Sequence, residues 1–118
     1  MEKTYSIGEL AAQAYLRDAG HPQTNTTGYE CAEGKADMVC IDADATTLVF
    51  VTAKRARRGS ELEPSYSKKK LQRIAMCYLV EHPGVSRLSC DVLCALIGSG
   101  GTVTVTGVKG AYVWEHEE

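Results

Sequence analysis

The chain lacks the features that would make it a membrane span, a disulfide scaffold or a zinc protein. Its apolar residues never run long enough to form a bilayer span, and 24% of its 118 residues carry charge. Five cysteines are present (Cys31, Cys40, Cys77, Cys90 and Cys94), an odd number with no C-x-x-C pair among them. The three histidines, His21, His82 and His116, do not stand at zinc-ligand spacing from these cysteines. The thiols are therefore expected to be reduced and mostly buried, acting as small hydrophobes, and no catalytic-cysteine signature is present. The opening Met1–Ser6 has no apolar run behind a basic stretch, so no secretory signal is expected and the cytoplasm is the expected compartment. Repeats, low-complexity blocks and long linkers are absent. The net charge of -2 gives no overall attraction for nucleic acid.

What is present fits one small globular domain over residues 1–118, with a core over about 7–109 and an acidic tail over 115–118. Hydrophobic residues make up 44% of the chain, enough for one modest core. Ile7, Leu10, Ala11, Ala14 and Tyr15 recur at helical spacing and predict a helix over 7–18, ended by Gly20-His21-Pro22. Strands are predicted over 23–29, 35–42 and 48–54, the last apolar on both faces as in a central strand. A polar connection leads to a second helix over 67–81, whose Leu71, Ile74, Ala75 and Tyr78 share a face. Strands over 88–97 and 102–108 follow, the last alternating Thr and Val as a half-exposed strand does. Helices and strands in this order predict an α/β fold with a mixed central sheet flanked by helices.

The average charge conceals a strong asymmetry. Residues 54–73 hold eight basic groups (Lys54, Arg55, Arg57, Arg58, Lys68, Lys69, Lys70 and Arg73) and two acidic ones, Glu61 and Glu63. Eight less two is +6, so the rest of the chain sums to -8 against the total of -2. Guanidinium forks and ammonium groups suit phosphates, which makes this stretch a candidate nucleic-acid surface. The alternative is a solvated charge run. Tyr29 and Tyr66 are either base-stacking or packing residues.

The candidate chemistry lies just before the basic stretch. Asp37 opens an apolar strand, and Lys54 closes the next one in Val49-Phe50-Val51-Thr52-Ala53-Lys54. Strand periodicity puts Thr52 and Lys54 on one face, and a hairpin brings Asp37 near it. A carboxylate with a strand-end lysine is the nucleus of a hydrolytic metal site. The acid holds Mg²⁺, and the lysine stabilises charge on a phosphoryl group or orients the attacking water.

In these residues the chain resembles the YraN-type proteins of the restriction-endonuclease-like superfamily, whose site reads D…(E/Q)-x-K. The resemblance runs in order through Gly8-Glu9, Ala12, Tyr15-Leu16, Gly20, Asn25, Gly34-Lys35-Ala36-Asp37-Met38-Val39, Val49 to Arg55, Lys70, Ala75, Tyr78-Leu79 and Asp91-Val92, covering about residues 7–97. It implies an αβββαβ core and a nuclease-like site of the kind seen in Holliday-junction resolvases. By similarity Glu9, Asp37, Thr52 and Lys54 occupy the catalytic positions, and Glu9, Asp37 and the Ala53 carbonyl are the ligands for Mg²⁺ or Mn²⁺. The partner it implies is DNA or RNA, with no membrane, and fold analogy suggests a homodimer.

Two departures bear on catalysis. Thr52 stands where the motif has its acidic residue, and Lys35 where the pattern has glutamate. A neutral hydroxyl is a poor substitute for a carboxylate on Mg²⁺, so weakened metal binding is expected. Each site residue also has a structural reading. Glu9 completes a Ser6-x-x-Glu9 capping box. Asp37 is a turn former, Thr52 a good strand former, and Lys54 a solvated strand end. Asp91, inside an apolar strand, is expected to pair with Arg73 or Arg87. Three functions follow: a metal-dependent endonuclease on structured DNA or RNA, a nucleic-acid-binding module that has lost catalysis, and a protein-interaction domain.

Overall fold

The computed structural model describes residues 14, 24–25, 28–42, 45–55, 66–98, 100 and 102–116. The helix predicted over 7–18 lies outside these residues except for Ala14, which is helical, and the same is true of Glu9, His21, Arg57 and Arg58. Seven strands and one longer helix are described: β1 (Thr24–Asn25), β2 (Tyr29–Cys31), β3 (Gly34–Ala36), β4 (Met38–Asp42), β5 (Ala45–Arg55), α1 (Lys68–Glu81), β6 (Arg87–Ile97) and β7 (Val103–Glu115). Five strands form one sheet in the order β1-β4-β5-β6-β7, and β2 and β3 form a separate hairpin. In the large sheet β5 and β6 run parallel, joined by the segment that carries α1, while the other pairs are antiparallel. The fold is therefore α/β with a mixed central sheet.

Alternation along the strands divides the core in two. On one face Val39, Leu48, Leu88, Cys90 and Val92 pack against Leu71, Ile74, Ala75 and Tyr78 of α1. On the other, Met38, Cys40, Val49 and Leu93 cluster with Val51 and Val105. The predicted helical stripe is thus the buried one. Ser67 stands before the helix as its N-cap, its Oγ accepting the Lys70 N–H at 3.3 Å. At the other end the His82 N–H donates to the Tyr78 carbonyl at 2.9 Å, and the two rings stack with centroids 4.0 Å apart.

Three predicted strands change extent. The strand over 23–29 divides into β1 and β2, because Gly28 (φ +73°) turns the chain between them. A Cβ at Gly28 would collide with the carbonyl oxygens of Ala36 and Asp37, so only glycine permits this approach. The strand over 35–42 breaks at Asp37, whose side chain competes with the ladder for backbone partners. The strand over 102–108 extends to Glu115, so the tail expected over 115–118 begins inside β7, where Glu115 pairs with Arg87 at 3.1 Å.

That extension also corrects the reading of Asp91. It does not pair with Arg73 or Arg87. The β6–β7 register jumps from Cys90↔Tyr112 to Val92↔Val108, and Asp91 fills the irregularity. Its Oδ1 accepts the Gly110 N–H at 2.9 Å and the Ser89 hydroxyl at 3.3 Å. Gly110, with φ +64°, supplies the conformation the bulge needs. Asp91 is 6% exposed, and its carboxylate satisfies a backbone donor that the ladder has released.

Cys40, Cys90 and Cys94 are buried, and Cys31 and Cys77 are half-buried. Burial, with a smaller effect from Asp91, pushes the Cys90 thiol up to about 12. A hydrogen bond with Cys31, then burial, raises Cys77.

Candidate functional site

The break at Asp37 organises the candidate site. Asp37 follows β3 and precedes β4, so it faces the centre of β5. Its N–H donates to the Val49 carbonyl at 2.8 Å, and its Oδ2 accepts the Val51 N–H at 2.7 Å. The carboxylate thus takes a position in the ladder that a backbone carbonyl would otherwise hold. This clamp brings Asp37 beside Thr52, the next residue along β5, as hairpin pairing predicted.

The two residues line one pocket of about 250 Å³ between the sheet and the start of α1. Phe50, Leu71, Ile74 and Val92 form its apolar part. Lys35 reaches it from β3, and Tyr66, Ser67 and Lys70 reach it from the entry to the helix. Thr52 is exposed, and among the described residues its hydroxyl makes a long 3.5 Å contact to the Leu93 carbonyl. Ala53, Lys54 and Arg55 continue β5 opposite Ala95, Leu96 and Ile97 of β6. A larger cavity of about 400 Å³ lies at the far end of α1, lined mainly by apolar residues such as Leu79, Val80, Pro83 and Trp114, with His116 the one titratable group among the described lining residues. The first pocket gathers the charged Lys35 and Lys70 around Asp37 and Thr52, which the sequence singled out.

Asp37 and Thr52 are therefore together, with Lys54 two residues beyond Thr52 in the same strand. Of the basic segment, Lys70 lines the pocket, Lys68, Lys69 and Arg73 are exposed on α1, and Arg55 is exposed at the end of β5. Glu9, Arg57 and Arg58 fall outside the described residues. Sequence reasoning missed Lys35 as a pocket residue. The signal was available: it stands two positions before Asp37, the repeat that returns a strand residue to the same side.

The donor set can be tested against the implied Mg²⁺ or Mn²⁺. Among the described residues the pocket offers one carboxylate, with Oδ2 already engaged by Val51, and a neutral Thr52 hydroxyl. The exposed Ala53 follows Thr52 and adds at most a carbonyl. Opposing them are two ammonium groups, Lys35 and Lys70. No group of three His, Cys, Asp or Glu side chains able to hold a metal occurs among the described residues. These residues do not fit a small hard dication, which takes carboxylate oxygens and keeps its waters.

An α/β chain with a mixed sheet, a carboxylate at a strand break and a cation-rich pocket at a helix start is the class these observations define. The chain belongs to the UPF0102 family, the YraN family. It is 33% identical over 112 residues to a UPF0102 protein of Frankia casuarinae, covering 90% of this chain and 92% of that one. A UPF0102 protein of Nocardia farcinica is 27% identical over 112 residues, with 89% and 85% covered. One from a Synechococcus species is 33% identical over 103 residues, with 82% and 75% covered. No protein-family model matches the chain. Among the described residues no helix is long and apolar enough to cross a membrane.

Proposed function

We propose that this chain is an endonuclease-like protein that binds DNA or RNA through the phosphate backbone, on a restriction-endonuclease-like αβββαβ frame. The observation that carries the reading is the pocket that joins Asp37 and Thr52 to Lys35 and Lys70. The exposed Arg55, Lys68, Lys69 and Arg73 flank it on the same stretch of chain. A backbone polyanion is attracted by such a field without base readout, with an affinity that falls steeply with salt. The parallel β5–α1–β6 unit and the antiparallel β4–β5 pair support the proposed frame.

Hydrolysis is a second reading, favoured by one observation: Asp37 is clamped onto β5, the strand that carries Lys54. Against it stands Thr52, which leaves the strand without the motif's carboxylate. Binding without cleavage is the better supported of the two.

The test is fluorescence anisotropy with labelled duplex, branched and single-stranded DNA and with RNA, followed by a cleavage assay with Mg²⁺ or Mn²⁺. Binding should fall with salt and weaken when Arg55 and Lys69 are neutralised. Retention that ignores both changes refutes the nucleic-acid reading, and absence of binding at low salt favours a protein-interaction role. A Thr52→Glu variant that gains cleavage identifies an intact nuclease frame lacking one ligand.

A further inference from the structure

Lys35 and Lys70 come to one pocket from separate elements, the first from the β2–β3 hairpin and the second from the first turn of α1. Lys70 does not simply extend into water. A Cβ at Gly34 would stand 3.2 Å from Lys70 Cε and 2.8 Å from Ile74 Cδ1, so the bare glycine leaves the space in which the lysine stem lies across the hairpin. The start of the helix repeats the same charge. Lys68, Lys69 and Lys70 fill its first turn, with no acidic residue there. Cations at this end oppose the helix dipole, and a local conflict of this kind is tolerated where a ligand relieves it.

Among the described residues the pocket therefore gathers two lysines against one carboxylate, and that carboxylate already accepts a backbone N–H. Such a balance repels a divalent cation and attracts an oxyanion. From it we infer that the pocket binds a backbone phosphate directly between Lys35 and Lys70, with no metal ion bridging protein and nucleic acid. Tyr66, exposed at the rim, offers a ring to the adjoining sugar or base. Asp37 serves as the anchor that holds β3 and its lysine against β5. This inference rests on the nucleic-acid reading above and specifies how the contact is made.

Anisotropy with a labelled duplex oligonucleotide and a labelled single strand tests it, run in EDTA and in Mg²⁺ at matched ionic strength. The expected affinity is the same in both. Lys35→Ala and Lys70→Ala should each weaken binding about threefold to tenfold and lower the slope of log affinity against log salt by about one. Lys35→Arg should retain binding. Both lysines are exposed, so circular dichroism should show the variants folded. Loss of wild-type binding in EDTA overturns the metal-free contact. Unchanged affinity and slope in both alanine variants, while the wild type still binds, overturns the pocket assignment and leaves the nucleic-acid reading standing. No wild-type binding to either probe at low salt removes that reading and the inference with it.

Discussion

Reversing the charge at the start of α1 should make the protein more stable and a weaker ligand for nucleic acid. Lys68 and Lys69 occupy the first two positions after the Ser67 cap, where unpaired N–H groups already concentrate positive charge. Each exposed cation there costs a few tenths of a kcal/mol, and a glutamate gains a similar amount, so one reversal contributes about 0.5–1 kcal/mol. Lys69 also stands four residues before Arg73, a like-charge pair on one helix face, and Lys69→Glu converts it to a favourable pair that adds about 0.5 kcal/mol. The double variant Lys68→Glu, Lys69→Glu is therefore expected to gain about 1.5–2.5 kcal/mol. For a chain of this size that raises Tm by about 5–10 °C. Thermal denaturation followed by circular dichroism at low salt measures the gain, which should shrink in molar salt as the screening length falls to about 3 Å. The same variant should bind an oligonucleotide at least tenfold more weakly. A Tm that fails to rise at low salt, or a rise that salt leaves intact, refutes the claim of electrostatic conflict. Stabilisation with undiminished binding removes Lys68 and Lys69 from the nucleic-acid surface.

Three further outcomes are expected. Asp91→Ala should lower stability by about 1–3 kcal/mol in urea titration, because it strands the Gly110 N–H, whereas Asp91→Asn should recover most of the loss through its carbonyl oxygen. Asp37→Ala should cost a similar amount through the Val51 N–H, with Asp37→Asn again the milder change, and hydrogen exchange at Val51 should report the loss directly. Stability should also fall as pH rises above about 9, because the folded Cys90 thiol is held near 12 while the unfolded thiol ionises at its ordinary value. The contribution is complete below the unfolded value and declines by up to about 1.4 kcal/mol per pH unit until the folded value is reached. Cys90→Ala should flatten the wild-type decline between about pH 9 and 11, and an unaltered slope would falsify the assignment.

The elements were most legible where pattern and packing agree. Leu71, Ile74, Ala75 and Tyr78 read as a stripe and are the face that α1 buries, and the apolar run at Leu48–Val51 lies in the central strand β5. Legibility failed where a side chain takes over a backbone role. Asp37 interrupts an apolar run because its carboxylate substitutes for a ladder carbonyl, and periodicity does not register that exchange. Asp91 looked like half of an ion pair, since a carboxylate in a strand is costly without a cation. Its partner is an N–H nineteen residues away, made available by Gly110. The placement of Asp37 near Thr52 followed from strand periodicity and hairpin pairing, but the entry of Lys35 and Lys70 depends on the hairpin folding over the helix start, a long-range placement.

The double role of Asp37 determines which experiments can separate fold from chemistry. Its carboxylate lines the pocket and also joins the β3–β4 break to β5, so removing it perturbs the position of Lys35 as well as any reaction at Thr52. Loss of activity in Asp37→Ala is what a catalytic acid, a phosphate-site anchor and a purely structural clamp all predict. The discriminating changes are those on residues with no such bond to the sheet. Lys35 and Lys70 are exposed side chains, and among the described residues Thr52 holds a single long contact of 3.5 Å. Replacing Lys35 and Thr52 together by glutamate turns the pocket from cation-rich to acid-rich while leaving the Asp37 clamp in place. If direct phosphate binding is the native mode, that variant should lose affinity in EDTA and regain it only with Mn²⁺ or Mg²⁺. If the wild type instead relies on a metal held by Asp37, the added carboxylates should strengthen an existing metal dependence, and affinity measured in EDTA will already be lost before the substitution is made.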